Sequence, residues 1–294
     1  DYRPAPDVGS DGRSLTQVGD NFSFRDKYGI VSRGIKDIAN FMMPFKYWFY
    51  PFGHHARTGH TLIVSAIEPR RFQAIKKYGH AHNATVNDMM LALFLRAFYQ
   101  TINTHPESIR RVVATVDLRR YTKTGRAGAL CNLSGFNYLD IGENIAEPFD
   151  RTLSKVRKHM NSFKGDYIGM GQFFITIPLF KLLPFPVSLW MHDVMGNMQK
   201  KQARTEGRVA PLYTNVGNLG DNQIFFGNLE VTDSFITTTV PWPPVLALCL
   251  TTFRERLTRT AGFCETFVPK KDVRTFLNHI QRQVDDVVPS LEKI

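Results

Sequence analysis

The sequence predicts an α/β fold in which helices cover a mixed sheet. Long runs with a helical apolar period lie over 86–100, 144–163 and 273–287. Between them lie short β-branched or apolar runs of strand length. Five such runs follow one another between 210 and 267, so several strands near the end should be antiparallel neighbours.

Taken in order, residues 1–60 read as linker, loop and aromatic segment. Residues 1–30 are rich in Gly, Asp, Arg and Pro and read as loop. Residues 31–52 read as a short helix, then the run Met42-Met43-Pro44-Phe45-Lys46-Tyr47-Trp48-Phe49-Tyr50-Pro51-Phe52, either a lid over something apolar or ordinary loop packing. Residues 61–67 form a strand, and Pro69 suits the first turn of a helix running to about 82. Thr85 is a good N-cap for the next helix, with Asp88 in the box position. There Val86, Met89, Met90, Leu93, Phe94, Ala97 and Phe98 follow the i, i+3, i+4, i+7 rule, and Leu91, Ala92 and Leu95 are apolar as well. Such a helix belongs in the core.

Residues 111–118 and 129–141 read as strands. Asn144, with Glu147 three on, opens a helix with Ile145, Phe149, Leu153, Val156, Met160 and Phe163 on one face and Arg151, Lys155, Arg157 and Lys158 on the other. Residues 167–205 are helical in part, interrupted by prolines. Strands are expected at 210–216, 223–231, 235–240, 245–253 and 257–267, then a helix carrying Val273, Phe276, Leu277, Ile280, Val284 and Val287. The chain shows no repeat and no low-complexity tract.

A hydrophobic fraction of 43% and a charged fraction of 21% in 294 residues give ample core and no signature of disorder. The net charge of +11 suits acidic partners in general, or simply a solvated basic surface. Its cations are scattered, with only pairs at Arg70-Arg71, Lys76-Lys77, Lys200-Lys201 and Lys270-Lys271. The absence of regular basic–aromatic interleaving argues against nucleic acid. Cys131, Cys249 and Cys264 are too few and too dispersed for a disulfide framework or a zinc site. They read as buried thiols in a reducing, cytoplasmic compartment. The apolar stretch 173–191 contains Pro178, Lys181, Pro184 and Pro186, too interrupted for a membrane span, though its aromatics leave peripheral contact with a lipid or membrane surface open. The first residues, Asp1-Tyr2-Arg3-Pro4, read as the interior of a longer protein.

Four motifs carry a family resemblance, in order from about residue 61 to the end. They are Ala84-Thr85-Val86-Asn87-Asp88 with its apolar helix, and Val116-Asp117-Leu118-Arg119-Arg120-Tyr121 followed by Gly128 and Asn132-Leu133-Ser134-Gly135. Then come Tyr213-Thr214-Asn215-Val216-Gly217, and the pair Leu257-Thr258 with Gly262-Phe263-Cys264-Glu265. Together they resemble the condensation-domain and chloramphenicol-acetyltransferase-like superfamily of acyltransferases, including wax ester synthase and alcohol acetyltransferase relatives. The resemblance is to the C-terminal lobe, over 61–294, and implies a two-layer CoA-dependent-acyltransferase-like lobe. It further implies an acyl-CoA or acyl-carrier-protein thioester as co-substrate, with no bound cofactor, and an alcohol or amine as acceptor. A histidine of an N-terminal lobe would act as general base. That lobe is expected from a second chain or a missing segment, because His-His-x-x-x-Asp-Gly does not occur here. In Gly53-His54-His55-Ala56-Arg57-Thr58-Gly59-His60 the double His is present, but Gly59 and His60 stand where Asp and Gly are required. A non-catalytic binding module that keeps the fold is the alternative.

Asp117 with Arg119 or Arg120 reads as an ion pair pinning a strand end, a structural role. Asn132 and Asn215 lie near glycines at strand ends, where an amide either bonds a pantetheine-like group or satisfies turn backbone. The resemblance makes Asn132, Ser134 and Asn215 candidates for lining the substrate channel. His54, His55 and His60, or His80 and His82, lack acidic or thiolate partners for a metal, so none is expected. No nucleophile elbow, Walker loop or dinucleotide fingerprint occurs.

Overall fold

A computed structural model describes residues 16–42, 59–101, 111–125, 131–140, 147–163, 167–206, 210–220, 224–240, 246–265 and 268–287. Its elements in chain order are α1 (Thr16–Gly19), α2 (Phe24–Met42), β1 (His60–Ile67), α3 (Pro69–Ala81), α4 (Val86–Thr101) and β2 (Arg111–Asp117), which runs into a 3-10 turn at Leu118–Tyr121. β3 (Ser134–Asp140), α5 (Phe149–Phe163), α6 (Gly171–Leu182), α7 (Phe185–Glu206) and β4 (Leu212–Asn218) follow. Last come β5 (Phe225–Phe226), β6 (Leu229–Glu230), β7 (Ala247–Phe253), β8 (Arg256–Cys264) and α8 (Lys270–Val287).

Six strands form one mixed sheet in the order β1-β8-β7-β4-β2-β3, and β5-β6 is a separate hairpin. β8 runs antiparallel to both β1 and β7, whereas β4 runs parallel to β7 and β2. The chain divides into two compact units. The first comprises 1–44, 115–137 and 162–192, and the second 45–114, 138–161 and 193–294.

The second unit holds most of the sheet. Pro69 opens α3, and Asn83, in the left-handed region at φ 52°, stops it. The predicted cap of α4 is a reciprocal box. Thr85 N–H and Oγ1–H donate to Asp88 Oδ2 at 2.9 and 2.8 Å, and Asp88 N–H donates back to Thr85 Oγ1 at 3.2 Å. The helix is buried almost all round, as its apolar wrapping predicts. Thr85→Ala is expected to cost about 1–2 kcal/mol, the upper range for a cap because Asp88 is buried, and the urea midpoint would report it. Phe94 and Phe98 of α4 meet Phe276 of α8 edge-on at 5.6 and 6.1 Å. Opposite them, Tyr213 of β4 faces Phe94.

Arg259 of β8 is buried against α8. Its guanidinium donates to Leu277 O at 3.5 Å and Gln281 Oε1 at 3.3 Å, with no carboxylate partner among the described residues. Burial pulls its pKa down to about 10. A buried charge whose partners among the described residues are neutral dipoles carries a desolvation cost, so Arg259→Met should keep or raise the urea midpoint.

The first unit has its own small core of Val18, Ile30, Leu118, Leu133 and Met170, with Phe22, Tyr121, Tyr167 and Phe174 around it. Here the structure departs from the loop expected over 1–30, since α2 already begins at Phe24. Its start is a second capping box, in which Ser23 N–H and Oγ–H donate to Asp26 Oδ2 at 3.0 and 2.6 Å and Asp26 N–H donates to Ser23 Oγ at 3.2 Å. The polar composition around it hides the signal.

Other departures are local. The helix expected from Asn144 begins at Phe149, just after Pro148, whose ring suits a first turn. Asn144 itself lies outside the described residues. The expected strand 129–141 is β3 from Ser134 on, because 131–133 form the turn before it. The expected strand 223–231 is the β5-β6 hairpin, turned at Gly227. Residues 235–240 belong to no strand ladder. Ile236 N–H donates to Thr251 Oγ1, and Ile236 O accepts from Thr260 Oγ1, so side chains of β7 and β8 take the place of strand partners. The aromatic run over 43–52 and the histidines His54 and His55 lie outside the described residues.

Candidate functional site

Two places carry the residues singled out above, one in each unit. In the second unit the start of α4 meets the end of β4. Parallel pairing with β2 and β7 sets β4 in register, and a bulge falls between Asn215 and Gly217. Gly217 takes φ +85°, a conformation that favours glycine. Asn215 fixes this bend, since its Oδ1 accepts from Gly217 N–H at 3.0 Å. Its Nδ2 donates to Asn87 Oδ1 at 3.2 Å.

Asn87 Oδ1 and its carbonyl also accept from the Tyr213 hydroxyl, at 3.3 and 3.4 Å. Burial, then the Asp88 carboxylate and Cys249, push the Tyr213 phenol well above its ordinary range. It therefore stays a neutral donor. Asn87→Ala would strip the shared acceptor from Tyr213 and Asn215 and should cost about 1–3 kcal/mol. A double-mutant cycle with Asn215→Ala should show coupling rather than additive losses in urea unfolding. Sequence reasoning used Asn87 only as part of a motif. The available signal was a polar residue at the start of an otherwise apolar helix.

In the first unit, Asn132 Oδ1 accepts from Ser134 N–H at 3.0 Å, an Asx turn that starts β3. Asn132 and Ser134 are exposed, while Leu133 between them is buried and its carbonyl accepts from Leu118 N–H at 2.8 Å. Asp117 caps the 3-10 turn. Its Oδ1 accepts from Arg119 N–H at 3.0 Å and from Arg119 Nη1 at 3.1 Å. This exposed pair is worth at most about 1 kcal/mol. Arg120 instead lies over the Tyr121 ring at 5.5 Å. Asn132 and Ser134 thus share one turn, and Asn215 is joined by Asn87 and Tyr213.

The histidines have other uses. His60 opens β1 and is exposed. His82 stacks on Tyr78 with ring centroids 4.2 Å apart, its Nδ1 2.9 Å from Tyr78 O and its Nε2 3.7 Å from Asp150 Oδ1. Among the described residues no group of three or more His, Cys, Asp or Glu is placed to hold a metal ion. Cys249 and Cys264 are buried free thiols, and Cys131 is half-buried. Among the described residues no helix is long and apolar enough to cross a membrane.

This chain has the fold seen in solved condensation-type domains and in an acetyltransferase. Three solved structures show the match. Trichothecene 15-O-acetyltransferase from Fusarium sporotrichioides superposes with a TM-score of 0.61 at 12% identity, over 90% of this chain and 53% of its own. The epimerization domain from the third module of tyrocidine synthetase B gives 0.57 at 11% identity, over 93% and 57%. The first condensation domain of the calcium-dependent antibiotic synthetase gives 0.55 at 14% identity, over 99% and 58%. The chain therefore spans a little over half the length of these structures. No protein-family model and no curated protein matches it by sequence.

Proposed function

We propose that this chain supplies one lobe of an acyltransferase that moves an acyl group from a CoA or carrier-protein thioester to an alcohol or amine. The observation that supports this most is the superposition of nearly the whole chain on an acetyltransferase and on condensation domains. In this reading the base histidine comes from a lobe bearing His-His-x-x-x-Asp-Gly. It takes the proton of the acceptor's hydroxyl or amine as that atom attacks the thioester carbonyl. The C–S bond then breaks, and the thiolate leaves and takes the proton. Asn132 and Ser134, exposed on their turn, offer amide and hydroxyl groups to a pantetheine arm. Asn215 acts indirectly: its amide is held by Asn87 and Gly217, so its part is to shape the strand end.

Acyl-CoA turnover with an alcohol acceptor, followed by thiol release, tests the reading. The chain alone should release no more thiol than buffer. Combined with a lobe carrying His-His-x-x-x-Asp-Gly, encoded beside it or supplied as a second chain, it should transfer the acyl group. Replacing that motif's histidine with Ala should lower the rate by about 10²–10⁴-fold. A combined protein that binds acyl-CoA without transferring the acyl group would sink the enzyme reading. It would favour a binding module that keeps the fold, the alternative to which the missing motif in this chain points.

A further inference from the structure

Part of the segment between β6 and β7 lies on the sheet without joining it. Residues 235–240 form no ladder, and among the described residues two hydrogen bonds tie them to the sheet. Both run through threonine hydroxyls at Ile236. Its N–H donates to Thr251 Oγ1 at 3.3 Å, and its carbonyl accepts from Thr260 Oγ1 at 3.1 Å. Water replaces such bonds at small cost once it reaches them. The segment also buries little. Phe235 is 41% exposed and Ile236 42%, and Thr237 and Thr239 are exposed as well. Thr238 is buried, but its hydroxyl donates to Thr239 O at 3.0 Å, within the segment itself. Lifting Thr238 away therefore takes no hydroxyl bond from the sheet.

The surface beneath is made to receive this segment. Gly262 of β8 leaves the room: a Cβ there would stand 2.8 Å from Thr238 Cγ2 and 3.3 Å from Thr239 O. Further along, Thr251 pairs with Thr258 and Cys249 with Thr260. Side chains alternate along a strand, so Cys249 and Thr251 of β7 share one face with Thr258, Thr260 and Gly262 of β8. The buried Cys249 thiol thus lies beside both threonines that hold Ile236. Upstream, Asp233 Oδ2 accepts from Arg256 Nη1 at 2.7 Å, which ties the entry of the segment to the β7–β8 turn. One end is anchored, and the body is held by few apolar contacts and two hydroxyls. Such elements open at low free energy.

We propose that residues 235–240 are a strap that lifts off the sheet as a unit while β7 and β8 stay paired, and that its lifting opens the hydroxyl face and the Cys249 thiol to small molecules. The motion belongs to the fold and does not depend on acyl transfer.

Amide exchange of the 294-residue chain in low concentrations of urea tests this. The Ile236 amide should be protected, yet exchange at least about a hundredfold faster than the amides of β7. Its urea dependence should be much shallower, because lifting the strap exposes little surface. Cys131→Ser with Cys264→Ser leaves Cys249 as the one thiol and gives a second readout. A small disulfide reagent should label it at a rate that low urea scarcely changes. Thr251→Val, which removes the acceptor for Ile236 N–H, and Gly262→Ala, whose methyl presses on Thr238, should each raise that rate at least about fivefold. Circular dichroism would show that the variants fold, and the exchange measurement needs no variant. An Ile236 amide that exchanges together with β7 at the same urea slope overturns the proposal, and so does one with no protection at all. Labelling of Cys249 that follows global unfolding alone overturns it as well.

Discussion

Phe94→Ala should lower the stability of the second unit by about 3–5 kcal/mol. Phe94 is fully buried and touches rings from three directions: Phe98 at 5.8 Å, Tyr213 at 5.6 Å and Phe276 at 5.6 Å, the last nearly perpendicular. It therefore joins α4, β4 and α8 in one contact. The loss has two sources, transfer of a large ring to water in the unfolded chain and the cavity left when neighbours cannot close in. Closure is hindered because the box at Thr85 and Asp88 and the bonds from Asn87 to Tyr213 and Asn215 fix the start of α4. Phe94→Leu keeps most of the volume and should cost less than half as much. Urea unfolding followed by circular dichroism measures both. A loss under about 1 kcal/mol for the alanine variant would show that the core relaxes far more freely than these ties allow.

Gly135→Ala should damage the first unit by about 3 kcal/mol or more, at the severe end of overpacking. A Cβ at residue 135 would stand 2.5 Å from the carbonyl oxygen of Gly169 and 3.0 Å from its Cα. The obstacle is backbone, so no side-chain rotation relieves it. Nor is the opposing loop free to withdraw. Gly169 sits at φ +78°, and its own Cβ position lies 3.0 Å from Val116 Cβ. Hydrogen exchange at the Leu118 amide gives a local readout, because that N–H is bonded to Leu133 O close by in the same unit. Protection there should fall in the variant. Unchanged protection would mean that β3 and the 167–170 turn can separate without loss.

The parts legible in the sequence are those with local signatures. The cap of α4 declared itself as Thr85 and Asp88, and the apolar period of α8 placed Val273, Phe276, Ile280 and Val284 in the core. α2 carried an equally good box at Ser23 and Asp26, but it sat in a stretch whose glycines and acids resemble a loop. Residues 235–240 have the β-branched content of a strand. What they lack is a free ladder, and that depends on β7 and β8 rather than on their own sequence. The candidate site was legible only in part for the same reason. Asn215 could be named from its motif, but the partner of its amide, Asn87, lies 128 residues away and leaves no nearby trace. That pairing decides whether the amide is offered to a ligand or spent inside the fold.

The pairing of β1 with β8 bears on how the protein is made. Position 60 is matched with 264 and position 67 with 257, so β1 waits for β8, about two hundred residues later. At bacterial to eukaryotic synthesis rates the interval is roughly 10–40 s, long compared with the collapse of a nascent chain. During that time Leu62 and Val64 have no native strand beside them. A nascent chain held in this state is a natural client for chaperones that bind extended apolar segments. Yield on expression should therefore depend on what happens before residue 264 leaves the ribosome as much as on the stability of the finished fold.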